Sequence, residues 1–124
     1  MRKKIHSYLG FAKRSGNIIA GYNSCEFAMM RKKIKLLILT EDIAEGTKKK
    51  FRKLAADYHI PMYIYGTSDE VPQYSGNEGK GIFGITDKNF AQVIEKEILS
   101  ELKETEKLQN TDESKEEKDM NDIK

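Results

Sequence analysis

The sequence predicts an α/β fold, a three-layer α/β/α sandwich around a small mixed four-stranded sheet. Three observations lead there. Leu36-Leu37-Ile38-Leu39 is an unbroken apolar run, as expected of a central strand covered on both faces. Segments with apolar residues at helical spacing stand on either side of it, over Ile5–Ala12 and Phe51–Tyr58. Helical and strand-like segments alternate along the chain, which places helices on both faces of one sheet.

The first helix is expected over Lys3–Lys13, with Ile5, Tyr8, Leu9 and Ala12 on one face and Gly16 as its stop. Ile18-Ile19-Ala20 reads as a short buried strand. Asn23 followed by Glu26 matches a capping box and sets the second helix to open at Asn23. That helix carries Phe27, Ala28 and Met30, and Arg31-Lys32-Lys33 suits the negative end of its dipole. A third helix spans Glu45–Tyr58, with Phe51, Leu54, Ala55 and Tyr58 inward and Lys48–Lys53 as a solvated basic face. Pro61 ends it and opens the strand Met62–Tyr65. A short helix over Asp69–Gln73, a glycine-rich loop over Ser75–Gly79 and a strand over Gly81–Ile85 follow. The last helix begins near Asp87, with Phe90, Ala91, Val93, Ile94, Ile98 and Leu99 as its apolar set. Its apolar period fades after Leu102, so residues 1–102 are read as the domain and 103–124 as a charged, disordered tail.

Charge divides the same way. The chain of 124 residues has a formal net charge of +2, yet from Ser100 onward there are nine acidic residues against five Lys. The domain is therefore basic, which suits a polyanionic partner. One cysteine rules out an intramolecular disulfide and a cysteine-rich metal site. No signal-like or membrane-length apolar run occurs, so a soluble cytoplasmic protein is expected.

No catalytic constellation emerges. Glu41-Asp42 follows a strand, where α/β enzymes often hold acids, but no base or metal partner accompanies it. His6 and His59 lack metal-ligand spacing and are read as structural. Gly76-Asn77-Glu78-Gly79-Lys80-Gly81 departs from the phosphate-loop spacing and precedes a strand. Cys25 is read as a small buried residue. No enzyme activity, cofactor or metal is expected.

Several stretches together resemble the kink-turn RNA-binding ribosomal-protein superfamily, and most closely its small bacterial YlxQ-like branch. They are Leu9–Gly16 (LGFAKRSG), Ala20-Gly21, Leu36–Asp42 (LLILTED), Thr47–Lys50 (TKKK), Ile60-Pro61, Gly76–Glu78 (GNE) and Ile85–Asp87 (ITD). In that superfamily a Gly-x-Asn-Glu-x-x-Lys signature opens the second helix and meets the sheared G·A pairs of a kink-turn. Gly21 and Asn23 match it; Ser24 stands where Glu is typical and Phe27 where Lys is typical. The resemblance implies a noncatalytic, ribosome- or translation-associated protein that binds structured RNA as a monomer, with ribosomal proteins as further partners. It assigns RNA contact to Gly21, Tyr22, Asn23, Ser24 and Phe27, to the loop Glu41-Asp42-Ile43, and to Tyr74 and Lys80 in the loop before the last strand. Lys13 and Arg14 are read as phosphate contacts at the same end as Gly21. The alternative is a protein-interaction adaptor of the same fold, anchored by Phe27.

Overall fold

The structure, a computed structural model, describes residues 3–68, 70 and 81–121, with residues 3 and 105–121 described as backbone only. Its elements are α1 (Lys3–Arg14), β1 (Ile18–Ala20), α2 (Tyr22–Met30), β2 (Leu36–Leu39), α3 (Glu45–Asp57), β3 (Met62–Ile64), β4 (Ile82–Ile85) and α4 (Lys88–Asn121). The strand order is β1-β4-β2-β3. β4 runs antiparallel to both β1 and β2, and β2 runs parallel to β3. Of the expected short helix over Asp69–Gln73 only Glu70 is among the described residues, and the expected loop over Ser75–Gly79 lies outside them.

The period of two along the strands sorts their side chains into two cores. Leu36, Ile38, Phe83 and Ile85 pack with Ile5 and Leu9 of α1 and Ile94 and Ile98 of α4. Leu37, Leu39 and Ile82 pack with Met29 of α2 and with Phe51 and Ala55 of α3. All four β2 residues are buried, each side chain contributing about 1.5–3 kcal/mol. Gly84 is fixed by this packing, since a Cβ there would lie 2.3 Å from Ile34 Cδ1. On the sheet edge, the Tyr63 hydroxyl donates to Glu95 at 2.7 Å and the Tyr65 hydroxyl donates to Glu101, tying β3 and the chain after it to α4.

The helix ends follow local rules, with one correction. α4 begins at Lys88, near the expected Asp87, and Asp87 caps it, its carboxylate accepting the Phe90 amide at 2.8 Å. The capping box at Asn23 and Glu26 does not form. α2 opens one residue earlier, at Tyr22, and its cap position is Gly21 with no side-chain cap. β1 ends at Ala20, so a single residue must turn strand into helix, which leaves no room for a cap at Asn23. The backbone of α4 continues as helix to Asn121, across the stretch set apart above as a tail; Glu, Lys, Leu and Gln there are good helix formers.

α1, α2 and α3 terminate in the same way, with a left-handed residue after the helix and a six-residue reverse hydrogen bond. The left-handed positions are Gly16 (φ 77°), Lys32 (φ 58°) and His59 (φ 56°). Asn17 N–H reaches Ala12 O, Lys33 N–H reaches Ala28 O, and Ile60 N–H reaches Ala55 O. Only α1 uses the glycine this geometry favours. Lys32→Gly is therefore expected to stabilise the fold by about 1 kcal/mol, read as a higher denaturant midpoint with unchanged slope.

β1, β2 and β3 all point the same way. Their C-terminal ends meet the start of β4 and the N-termini of α2 and α3 at one end of the sheet. The three helix closures gather at the other.

Candidate nucleic-acid interface

The first of these ends presents an open helix N-terminus. Gly21 has φ 104° and ψ 158°, a region open to glycine and costly for any other residue. Its N–H donates to Ile82 O at 2.9 Å and its carbonyl accepts Cys25 N–H at 3.0 Å. The amides of Tyr22, Asn23 and Ser24 lie in the first turn, where no intrahelical acceptor exists. All three residues are exposed. An unfilled row of N–H groups at the positive end of a helix is suited to a phosphate or a base edge.

Tyr22 is braced from α3. Its ring meets Phe51 edge-on with centroids 5.1 Å apart, and Lys50 Nζ sits 4.6 Å from its centroid on the open side. The same ammonium pairs with Glu26 at 3.1 Å. Tyr22 first, and Glu26 after it, hold the Lys50 ammonium above its usual pKa. Glu26 thus serves α3 instead of capping α2. Cys25 is buried, its Sγ–H directed at Ile19 O at 3.3 Å, and burial pushes its pKa up to about 12. It is a packing residue, not a nucleophile.

The loop after β2 is latched to the chain after β3. Glu41 N–H donates to Gly66 O at 2.8 Å, and Asp42 accepts the Ser68 hydroxyl at 2.6 Å and the Ser68 N–H at 3.1 Å. Lys48, read above as part of a solvated face, is only 12% exposed in its side chain. It lies in the first turn of α3, facing back toward the loop, and its ammonium donates to Glu41 O at 2.7 Å. Ile43 turns inward, packed on the α2/α3 core and against Gly81, where a Cβ would lie 2.4 Å from Ile43 Cγ2. Of the predicted contacts in this loop, the Asp42 carboxylate and the Ile43 side chain are therefore already committed within the fold.

The Ser68 hydroxyl, above all, holds the Asp42 carboxyl at about 2, below the ordinary value near 3.9. A depressed carboxylate favours the fold above the unfolded-state value and loses that contribution as pH falls from about 4 toward 2. The stability gap between wild type and Asp42→Asn should thus be full at pH 6 and shrink across that window. Parallel denaturant melts at pH 6, 4 and 2.5 check it; a gap independent of pH would show that the latch carries no ionic share.

The other expected contacts separate. Phe27 is 62% exposed and lies one turn beyond Asn23 on the same helix face, with Arg31 over its ring at 5.1 Å. Lys13 and Arg14 do not join the group. They end α1 and enter β1 at Ile18, whereas Gly21 leaves β1 after Ala20, so the strand's full length separates them. The reason is direct: a helix packed antiparallel to the following strand delivers its C-terminus to that strand's start. Tyr74 and Lys80 lie outside the described residues. The residues that sequence reasoning missed are Lys50, Lys48 and Ser68. Nothing in the spacing marks Ser68, while the lysines were hidden inside a charge run that looked uniformly solvated.

The α2/α3 layer as a whole is basic, although Arg31, Lys32, Lys33 and Lys35 lie at its opposite end. From Tyr22 to Pro61, the span holding α2 and α3, there are nine Lys and Arg against five Asp and Glu. Among the described residues no group of His, Cys, Asp and Glu is placed to hold a metal ion.

Comparisons with known proteins follow the same architecture. The RNA-binding protein YlxQ of Enterococcus faecium is 31% identical over 91 residues, covering 73% of this chain and 87% of that protein. The RNA-binding protein YlxQ of Bacillus subtilis is 26% identical over 86 residues, covering 69% and 86% respectively. A solved structure of a protein of unknown function from Bacillus halodurans superposes with a TM-score of 0.72 at 26% identity, covering 75% of this chain and 94% of that one. The sequence model of the ribosomal protein L7Ae/L30e/S12e/Gadd45 family matches residues 3–95, α1 through the first turns of α4. With an uncapped second helix, a mixed four-stranded sheet and a basic α2/α3 layer, this YlxQ-like chain belongs to the ribosomal protein L7Ae/L30e/S12e/Gadd45 family.

Proposed function

We propose that this protein is a noncatalytic RNA-binding protein, acting in the cytoplasm in association with the ribosome or translation, that recognises kinked or otherwise structured RNA as a monomer. The observation that carries the reading is the mouth of α2. Gly21 opens the helix without a side-chain cap, and the amides of Tyr22, Asn23 and Ser24 face solvent where the superfamily's signature meets RNA. Tyr22 is held by Phe51 and Lys50, so the first turn is presented in one orientation at little entropic cost. Asn23 offers an amide to base edges, Ser24 a hydroxyl, and Phe27 a stacking surface. The resemblance also assigns RNA contact to Tyr74 and Lys80, outside the described residues. The domain spans residues 1–102, and 103–124 is a charged appendage.

The reading is tested by titrating the full chain with a kink-turn RNA and with a control whose G·A pairs are replaced by Watson–Crick pairs, each across a salt series. At least tenfold tighter binding to the kink-turn is expected, equivalent to about 1.4 kcal/mol. Equal, salt-sensitive affinities would replace kinked-RNA recognition with general phosphate attraction.

A second reading, the adaptor, is favoured by one observation. Phe27 and Met30 are 62% and 53% exposed, and their three-residue spacing puts them side by side on the outer face of α2. Failure to bind either RNA at low salt would favour it.

A further inference from the structure

At the far end of the sheet from the α2 mouth, α1 and α4 enclose a groove of about 440 Å³ lined by Tyr8, Phe11, Asp87, Asn89, Phe90 and Val93. Three of the six lining residues are aromatic. Phe11 is 50% exposed, and the Arg14 guanidinium lies 4.8 Å from its ring centroid. Among the described residues no carboxylate pairs with Arg14. Asp87 is the one acid in the lining, and its carboxylate is engaged by the Phe90 amide. Asn89 is exposed and brings both a donor and an acceptor.

Flat aromatic walls, an exposed amide and an arginine with no carboxylate partner among the described residues match the needs of one chemical object. A nucleobase offers a π-face to stack and polar edges to bind, and a phosphate follows it along the strand. An apolar peptide side chain would use the walls and leave the guanidinium unanswered. We propose that this groove is a second RNA contact, in which one unpaired base enters against Phe11 and Phe90 while Arg14 holds the adjoining phosphate. The contact goes beyond the function proposed above and is independent of it, since β1 and β4 separate the two surfaces. It also gives Arg14 a role that the α2 mouth cannot.

The test is a titration of the isotopically labelled full chain with pentauridylate, a single strand that cannot form a kink-turn, followed by amide chemical shifts. Shifts should cluster over Tyr8–Arg14 and Asp87–Val93. Phe11→Ala should weaken binding by roughly 5- to 160-fold, the range of one lost base stack. Arg14→Gln should flatten the logarithmic salt slope by about 0.7. Both side chains are exposed, so unshifted resonances elsewhere will report an intact fold. Asn23→Ala should alter kink-turn binding and leave the pentauridylate titration unchanged, which keeps the two surfaces distinguishable. Shifts that avoid the groove, or affinity and salt slope unaltered in both variants, would overturn the proposal. So would a groove that accepts an amphipathic helical peptide and ignores pentauridylate.

Discussion

Phe51→Ala is expected to cost about 3–5 kcal/mol, a large share of the roughly 5–15 kcal/mol that holds a small domain together. The ring is fully buried and belongs to the core that joins α2 and α3 to the sheet, with Met29, Leu37, Leu39 and Ala55. Truncation leaves a cavity that helices on both sides must collapse to fill, and the β2 backbone cannot move without disturbing the opposite core. Denaturant unfolding should show a lower midpoint with the slope preserved. Phe51→Leu should recover much of the loss, because most of the volume returns. The substitution also removes the edge-on support of Tyr22, so RNA affinity should fall in the fraction that remains folded. A penalty below about 1 kcal/mol would mean that this core is not closely packed around the ring.

Gly21→Ala is the second large effect. At φ 104° and ψ 158° a Cβ strains the backbone by about 1–3 kcal/mol. The chain can relax only by rotating the first turn of α2 or by releasing the bond from Gly21 N–H to Ile82 O. Either response moves the amides of Tyr22–Ser24, so stability and RNA affinity should fall together. Gly46→Ala is the control of opposite sign. It is the second residue of α3, and a Cβ there meets nothing within 4 Å, so the lower entropy of the unfolded chain should stabilise the fold by up to about 1 kcal/mol with RNA binding unchanged. If Gly21→Ala is as stable as wild type, the strand-to-helix turn is softer than its dihedral angles imply.

Most of the architecture was legible because burial is periodic. The run Leu36–Leu39 had to be a central strand, and the structure divides its residues alternately between two cores. Gly16 and Pro61 marked ends that do occur near those positions. The start of α2 was misread because a good local signal, Asn23 with Glu26, competed with a turn that only backbone dihedral angles reveal. Glu26 satisfied a lysine 24 residues away, a pairing that no sequence window contains. The same limit applies to the site. Gly21, Tyr22, Asn23 and Ser24 are consecutive and stay together, whereas grouping Lys13 and Arg14 with them required knowing which end of β1 each flank occupies. Ser68 and Asp42 meet across 26 residues, and neither announces the other.

The uncapped opening of α2 also makes the protein its own reporter. Backbone amides with no acceptor exchange their protons with solvent far faster than those inside a helix. Tyr22, Asn23 and Ser24 should therefore take up deuterium early in the free protein, while Cys25, bonded to Gly21 O at 3.0 Å, is retained longer. A ligand that fills those donors should slow exchange at these three neighbouring sites, so occupancy of the α2 mouth can be followed by deuterium uptake there.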